Sequence, residues 1–388
     1  MGARPLSGPV AKAYQRRIED GQLSEDPAQF AAVGALDDLI DALSNQKKSW
    51  FGRSAPPKGL YLWGGVGRGK SMLMDLFFSL APEKQKRRIH FHDFMREIHE
   101  FRAYWRSLSE PERKKSQWYV KGAKGDPLAP AAKRMSASAK LLCFDEFQVT
   151  QIADAMILSR LFEKAFEYGL TLIVTSNRPP DDLYKDGINR ELFVPFIDQL
   201  KSRCRIMELA SEIDHRLAQL SRAPVWVTPL DSHADAALDL AWDRLTTCST
   251  AAPMTLNVQN RLLEVPLAAA GVARFRFEDL CAKPLGATDY RELTLHFHTI
   301  ILSDIPRLSA EKRNEAIRFT TLIDVLYEAK VNLVAGAAAS PDDLYPEGDG
   351  SFEFARTASR LHEMQSAKYI GAERVHLAEH QAAALQPD

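Results

Sequence analysis

Apolar residues recur at helical spacing near the start of the chain, with Ala31, Leu36, Leu39, Ile40 and Leu43 on one face before Asn45 and the Lys47–Lys48 pair end the pattern. This spacing predicts an N-terminal helical arm over residues 1–55. Pro56–Pro57 breaks it, and the apolar run Gly59–Trp63 (GLYLW) reads as a short buried strand entering a glycine-rich turn, with a helix over Met72–Leu80 behind it. The beat continues with strand Arg88–His92, amphipathic helix Phe94–Leu108, strand Lys140–Phe144, helix Ala153–Tyr168, strand Leu170–Thr175 and a last strand at Arg205–Leu209. Strands and helices in alternation predict a doubly wound α/β sheet over 56–210, parallel and covered by helices on both faces, with its chemistry at the carboxyl ends of the strands.

Beyond Ser211 the texture changes. Short β-like runs (Pro224–Val227, Leu256–Val258, Arg261–Val265, Ala273–Phe277) with one helical stretch, Ala234–Thr246, predict a small β-containing insertion over 211–276. Residues 277–370 read as a mainly helical C-terminal domain (Phe277–Leu280, Tyr290–Phe297, Ala310–Ala329, Phe354–Tyr369) with strands at Thr299–Leu302 and Asn332–Ala335. The Ala- and Gln-rich tail, 371–388, is expected to be loosely ordered.

Composition narrows the class without choosing within it. Of 388 residues, 45% are hydrophobic and 26% charged, the usage of a globular chain long enough for more than one unit. Fifty basic against 51 acidic side chains give no overall field to steer the chain to nucleic acid or lipid. Cys143, Cys204, Cys248 and Cys281 lie far apart, without zinc spacing, and read as reduced, packed thiols. The opening MGARPLSGPVAKAYQRRIEDG lacks the apolar stretch of a secretory signal, and no run of about 18 apolar residues exists to span a bilayer, so the expected location is the cytoplasm.

The chemistry begins at Gly64-Gly65-Val66-Gly67-Arg68-Gly69-Lys70-Ser71, which fits GxxxxGK[ST] between a strand and a helix that continues with Met72. Glycines let backbone N–H groups and the helix N-terminus face phosphates. Lys70 then supplies a charge for the β and γ phosphates of ATP, and Ser71 a hydroxyl for Mg2+. The strand Leu141–Phe144 ends in Asp145, suited to hold the magnesium, and Glu146, suited to polarise the attacking water. A carboxylate in that second position favours hydrolysis over transfer to another acceptor. The strand ending at Thr175 places Asn177 at the adjacent tip, where an amide could orient the lytic water; alone, it would be an ordinary turn Asn.

Together, LYLWGGVGRGKSMLMDLFF, LLCFDEFQVTQIADAMIL, LIVTSNRPPDDLY, RELFVPFID, PLGATDY and RTASRLHEMQS resemble the ZapE family, the AFG-one-like ATPases of AAA+ type, over nearly the whole chain. The resemblance implies an AAA+ P-loop core whose Walker A pair is Lys70 and Ser71, whose Walker B pair is Asp145 and Glu146, and whose sensor 1 is Asn177. It also implies an arginine finger at Arg190, with Arg203 the rival and a surface arginine the plain alternative. A sensor 2 arginine would come from Arg318, Arg356 or Arg360, with Arg356 preferred. By the same resemblance the function is remodelling of protein partners, linked in bacteria to cell division and the FtsZ ring. A finger implies a nucleotide-dependent homo-oligomer, such as a hexamer, and any membrane association would be peripheral. The opening lacks the Arg-rich, acid-poor character of a mitochondrial presequence, which favours the bacterial branch. The alternative is a DNA-linked ATPase resembling replicative helicase loaders, although no specific nucleic acid is expected from so neutral a chain.

Three features suggest chemistry but have plainer readings. His90 and His92 are expected to share a strand face beside Phe91, packed or in polar contact, and with His99 form no second metal site. The basic run Lys84–Arg88 and the cluster Arg113-Lys114-Lys115 read as solvated surface. Trp105, Trp118 and Tyr119, near the second cluster, could touch a substrate strand or peptide.

Overall fold

The computed structural model describes residues 7–46, 55–210, 225–246, 251–346 and 351–375, apart from Gln22, Ser24, Val66, Thr150, Gln151, Asp186, Asn260 and Glu373. The chain divides into two compact units, Met1–Glu212 and Ile213–Asp388.

The first unit is built on five parallel strands: β1 (Gly59–Trp63), β2 (Lys86–His90), β3 (Leu141–Asp145), β4 (Thr171–Ser176) and β5 (Cys204–Glu208). Their order is β2-β3-β4-β1-β5, so the winding reverses beside β1, where an open α/β sheet leaves a crevice at its carboxyl edge. This is the parallel α/β sheet, covered by helices on both faces, that the alternation of strands and helices predicts. Strand alternation sends Leu60 and Leu62 to one face and Tyr61 to the other. On the Tyr61 face, α4 (Phe91–Ser107), α6 (Leu128–Ser138), α7 (Ile152–Glu167) and α8 (Val194–Arg203) bury a phenylalanine-rich layer that includes Phe94, Phe144, Phe162 and Phe196. On the Leu60 face, α3 (Lys70–Leu80) packs together with α1 (Pro9–Glu19) and α2 (Pro27–Gln46). The N-terminal helices are therefore a layer of this core: Val10, Tyr14, Leu36 and Leu39 are buried with Leu73 and Phe77 of α3.

Two local expectations differ from the structure. The second strand ends at His90, and Phe91 already begins α4, because Phe91, Phe94, Met95 and Ile98 reach the core at helical rather than alternating spacing. His92 consequently lies in a helical turn and does not share a strand face with His90, while Nε2 of His99 sits 2.7 Å from Asp154 Oδ1. Between α4 and β3 the chain also forms α5 (Glu110–Lys115), closed by a Ser109–Glu112 capping box, and α6, which periodicity did not announce. Trp105 is 2% exposed and stacked on Phe101 at 5.8 Å, so it is a core residue and cannot touch a substrate.

The second unit carries a six-stranded sheet ordered β6-β11-β10-β9-β8-β7, from β6 (Trp226–Val227), β7 (Ala252–Val258), β8 (Arg261–Ala269), β9 (Val272–Arg276), β10 (Thr299–Ile305) and β11 (Asn332–Ala337). β7, β8 and β9 form an antiparallel meander, whereas β9, β10, β11 and β6 run parallel. The strands read from sequence on either side of residue 276 join in register, Phe275 opposite Leu302 and Val272 opposite Thr299. The helices α10 (Ala287–His296), α11 (Arg313–Glu328) and α12 (Ser351–Met364) accompany a core containing Tyr290, Phe319 and Phe275, while α9 (Ser232–Thr246) packs Leu238 and Trp242 with Ile301 and Val334. The chain stays anchored past Gly371, where the tail was expected to loosen: Val375 N–H donates to Ala329 O at 2.9 Å and Arg374 to Leu295 O at 3.0 Å. Residues 376–388 and Cys248 lie outside the described residues; Cys143, Cys204 and Cys281 are buried free thiols.

Candidate functional site

The loop after β1 is held on both sides by backbone. Gly64 N–H donates to Ser176 O at 3.2 Å, and a Cβ on Gly64 would stand 2.6 Å from Leu209 O, so only glycine fits there. Gly69 adopts φ +83 and caps α3, whose N-terminus has no side-chain cap and no acidic residue in its first turn. Its amide donors and dipole are thus left for an anion, which is what a phosphate needs. Lys70 is 8% exposed, and its ammonium donates to Gly64 O and Gly65 O, both at 2.7 Å. Val66 lies outside the described residues, and Met72 packs half-buried against the α1–α2–α3 layer.

Asp145 ends β3 at 3% exposure and gathers the site around one carboxylate. Its Oδ1 accepts from Ser71 Oγ at 2.8 Å and Thr175 Oγ1 at 2.6 Å, while Oδ2 accepts from Arg88 Nη2 at 2.6 Å. Burial alone would push this carboxyl up, but the Arg88 guanidinium, His90 and the two hydroxyl donors outweigh it and hold Asp145 down to about 2. Arg88 also ion-pairs through Nε with Asp75 of α3, so one cation bridges two carboxylates. Asp75 goes the other way: burial pushes it up to about 6 against the pull of Arg88.

This divergence has a measurable consequence. Asp75 binds its proton more tightly in the folded chain than in the unfolded one, so its ionisation lowers stability as pH rises from about 4 through about 6. Asp145 does the reverse, adding stability as pH rises from about 2 to about 4. Thermal unfolding of wild type and Asp75→Asn should therefore diverge in favour of the variant between pH 4 and pH 6.5. Parallel curves would show that Asp75 is not buried against charge.

Glu146 sits half-buried at φ +52, a left-handed conformation uncommon outside glycine that turns its side chain off the strand line. Its N–H donates to Asp145 Oδ1 and Thr175 Oγ1, each at 3.2 Å, which fixes the turn. Asn177 is exposed one residue past β4, next to Ser176, whose carbonyl holds Gly64. The carboxyl edge of β1, β3 and β4 thus brings together Lys70, Ser71, Asp145, Glu146 and Asn177.

Arg190 opens the 3-10 turn Arg190–Leu192, and its guanidinium donates to Asp181 O in the turn that follows β4. Arg203 lies over the Phe166 ring at 5.5 Å. In the second unit, Arg318 donates to Cys281 O, and Arg360 is bound by Asp324 and stacked over Tyr327 at 4.7 Å. Arg356 is mostly exposed and reaches Asp324 only at 3.9 Å, the loosest tether of the three.

Sequence reasoning missed Thr175, Arg88 and Asp75. The run Lys84–Arg88 is not solvated surface past Gln85: Lys86 donates to Phe78 O and Ala81 O, Arg87 forks onto Glu97, and Arg88 enters the site. β2 is an edge strand whose long cations find acceptors on α3 and α4, a pairing that local charge count does not reveal. Arg113 donates to Trp105 O and Lys114 pairs with Glu110 on α5.

Comparison with known proteins matches the AFG1-like ATPase family over residues 9–373. The chain is similar to the cell division protein ZapE of Escherichia coli (strain K12), 36% identical over 94% of this chain and 97% of that protein. It is also similar to lactation elevated protein 1 homolog B of Danio rerio, 39% identical over 83% of this chain and 64% of that protein. Among solved structures, AMPPCP-bound DnaA from Aquifex aeolicus shares 15% identity over 52% of each chain at a TM-score of 0.34.

Proposed function

Because this chain belongs to the AFG1-like ATPase family, we propose that it hydrolyses ATP to ADP and phosphate at the 64–71 loop, with Mg2+, to remodel protein partners in bacterial cell division. The observation that carries the hydrolytic part is the gathering of Lys70, Ser71, Asp145, Glu146 and Asn177 at one edge of the sheet. The division part rests on the ZapE relative.

The loop glycines and the uncapped α3 N-terminus receive the phosphates. Lys70, whose ammonium donates to the neutral Gly64 and Gly65 carbonyls, exchanges them for β and γ oxygens, which form stronger charge-assisted bonds. The hard oxygen donors of Ser71 and Asp145, already 2.8 Å apart, suit magnesium; when bound, the ion neutralises charge on the β and γ phosphates. Glu146 accepts a proton from the attacking water while Asn177 orients it, and the bond from the β–γ bridging oxygen to the γ phosphorus breaks to release ADP. Arg190 serves as the finger of a neighbouring subunit, and Arg356 as the arginine that closes on the phosphates.

No helix among the described residues is long and apolar enough to cross a membrane. We place the protein in the cytoplasm, as a nucleotide-dependent ring of this chain with a protein client such as FtsZ. Steady-state ATPase activity measured against protein concentration tests this reading. Turnover per subunit should rise with concentration, fall about 10³-fold or more in Arg190→Ala, and respond to purified FtsZ rather than to single-stranded DNA. Flat specific activity that tolerates Arg190→Ala would remove the finger and the ring, and stimulation by DNA alone would favour a helicase-loader-like ATPase.

A further inference from the structure

The N-terminal helices reach the phosphate loop through one buried amide. Tyr14 of α1 is 0% exposed and Gln29 of α2 is 1% exposed. The Tyr14 hydroxyl donates to Gln29 Oε1 at 2.9 Å, and Gln29 Nε2 donates in turn to Arg68 O at 3.0 Å. A Cβ on Gly69 would stand 2.6 Å from that same Nε2, so the amide presses on the residue whose φ of +83 turns the loop into α3. Burial, with Asp26 adding to it, pushes the Tyr14 phenol up to about 12, which keeps it a donor at neutral pH.

We propose that Gln29, oriented by Tyr14, is a positioning residue of the phosphate loop, which makes the N-terminal helices part of the nucleotide site; this rests on the reading of 64–71 as that loop. The carbonyl of Arg68 and the N–H of Gly69 belong to one planar trans peptide, so they point in opposite directions. A donor that fixes the carbonyl on the Gln29 side turns the Gly69 N–H to the other side, away from the helices. A buried amide is a costly way merely to fill space, since both its ends must be bonded, and a leucine would pack the layer without that demand. The anchoring is firm: Asp37 of α2 accepts the Val10 N–H at 2.8 Å and the Ala11 N–H at 3.1 Å, locking the start of α1 onto α2. Both helices are then buried against Leu73, Met74 and Phe77 of α3.

The test compares full-length wild type with Gln29→Glu, Gln29→Leu, Tyr14→Phe and Lys70→Ala. It uses titration with fluorescent ATP and ADP analogues, the split between KM and kcat, and the thermal midpoint without nucleotide. Gln29→Glu directs a carboxylate at the Arg68 carbonyl, so Kd for ATP and for ADP should each rise about 10-fold, with KM following and kcat at saturation changing less than about 3-fold. Gln29→Leu keeps the volume and should lose affinity to a similar extent. Tyr14→Phe removes a single hydroxyl and should cost about 3-fold, which keeps the test open if the Glu variant does not fold. Folded Gln29 variants that bind both nucleotides like wild type, while Lys70→Ala has lost them, would overturn the assignment. A lowered thermal midpoint with unchanged affinities would overturn it too, by making Gln29 a packing residue. If Lys70→Ala itself binds like wild type, the phosphate-loop reading fails and this inference with it.

Discussion

Glu146→Gln is expected to lower kcat for ATP hydrolysis by about 10³-fold while leaving ATP affinity within a few-fold of wild type. Gln has the size and shape of Glu but cannot take a proton from the attacking water. The parts proposed to bind phosphate lie elsewhere, on Lys70 and the start of α3. The turn that aims residue 146 is fixed by its backbone, through the Asp145 carboxylate and the Thr175 hydroxyl, so the substitution leaves it in place. Single-turnover hydrolysis alongside equilibrium binding separates the two quantities. A variant that hydrolyses ATP at more than about a tenth of the wild-type rate would show that water is activated by another group.

Arg88→Met is expected to destabilise the first unit by about 3 kcal/mol at pH 7, because it removes the cation that bridges the Asp75 and Asp145 carboxylates and leaves them facing each other. The defect should shrink below pH 5. There Asp75, already pushed up to about 6, takes a proton and relieves the repulsion. Activity should fall more than about 10-fold, since Asp145 then rises toward protonation and becomes a poorer acceptor for the Ser71 hydroxyl. Urea unfolding at pH 7 and pH 5 with ATPase assays on the same samples makes the comparison. Equal stability of variant and wild type at both pH values would mean that the charges at Asp75 and Asp145 are screened by solvent.

What could be read from the sequence was whatever lay along a single stretch of chain. The proposed phosphate loop is contiguous, with its strand before it and its helix behind, and Asp145 and Glu146 end an unbroken apolar run. The parallel core followed from alternating periodicities for the same reason. Contacts between distant segments left no such trace. Arg88 looked like one more cation in a basic run, and only the placement of β2 beside β3 sets it opposite Asp145. Gln29 is a polar residue on the apolar face of α2, which periodicity alone would score as a flaw in the pattern. The second unit shows the same limit from the other side. Its strands were visible one by one, but the register joining β9 to β10 depends on a crossover through α10 that no local pattern encodes.

The order of the strands also bears on how the polypeptide is made. β1 leaves the ribosome early with its glycine-rich loop, yet its two neighbours are β4 and β5, with Leu60 opposite Ile173 and Arg205. Until the chain has grown past those residues, β1 has no partner on either edge and the carbonyls of Ser176 and Leu209 that frame Gly64 do not exist. Such long-range pairing folds slowly and exposes apolar strand surface meanwhile. Nascent chains stalled before residue 170 should therefore lean on chaperones and gain no protection from ATP, whereas chains released past residue 212 can be stabilised by the nucleotide they bind.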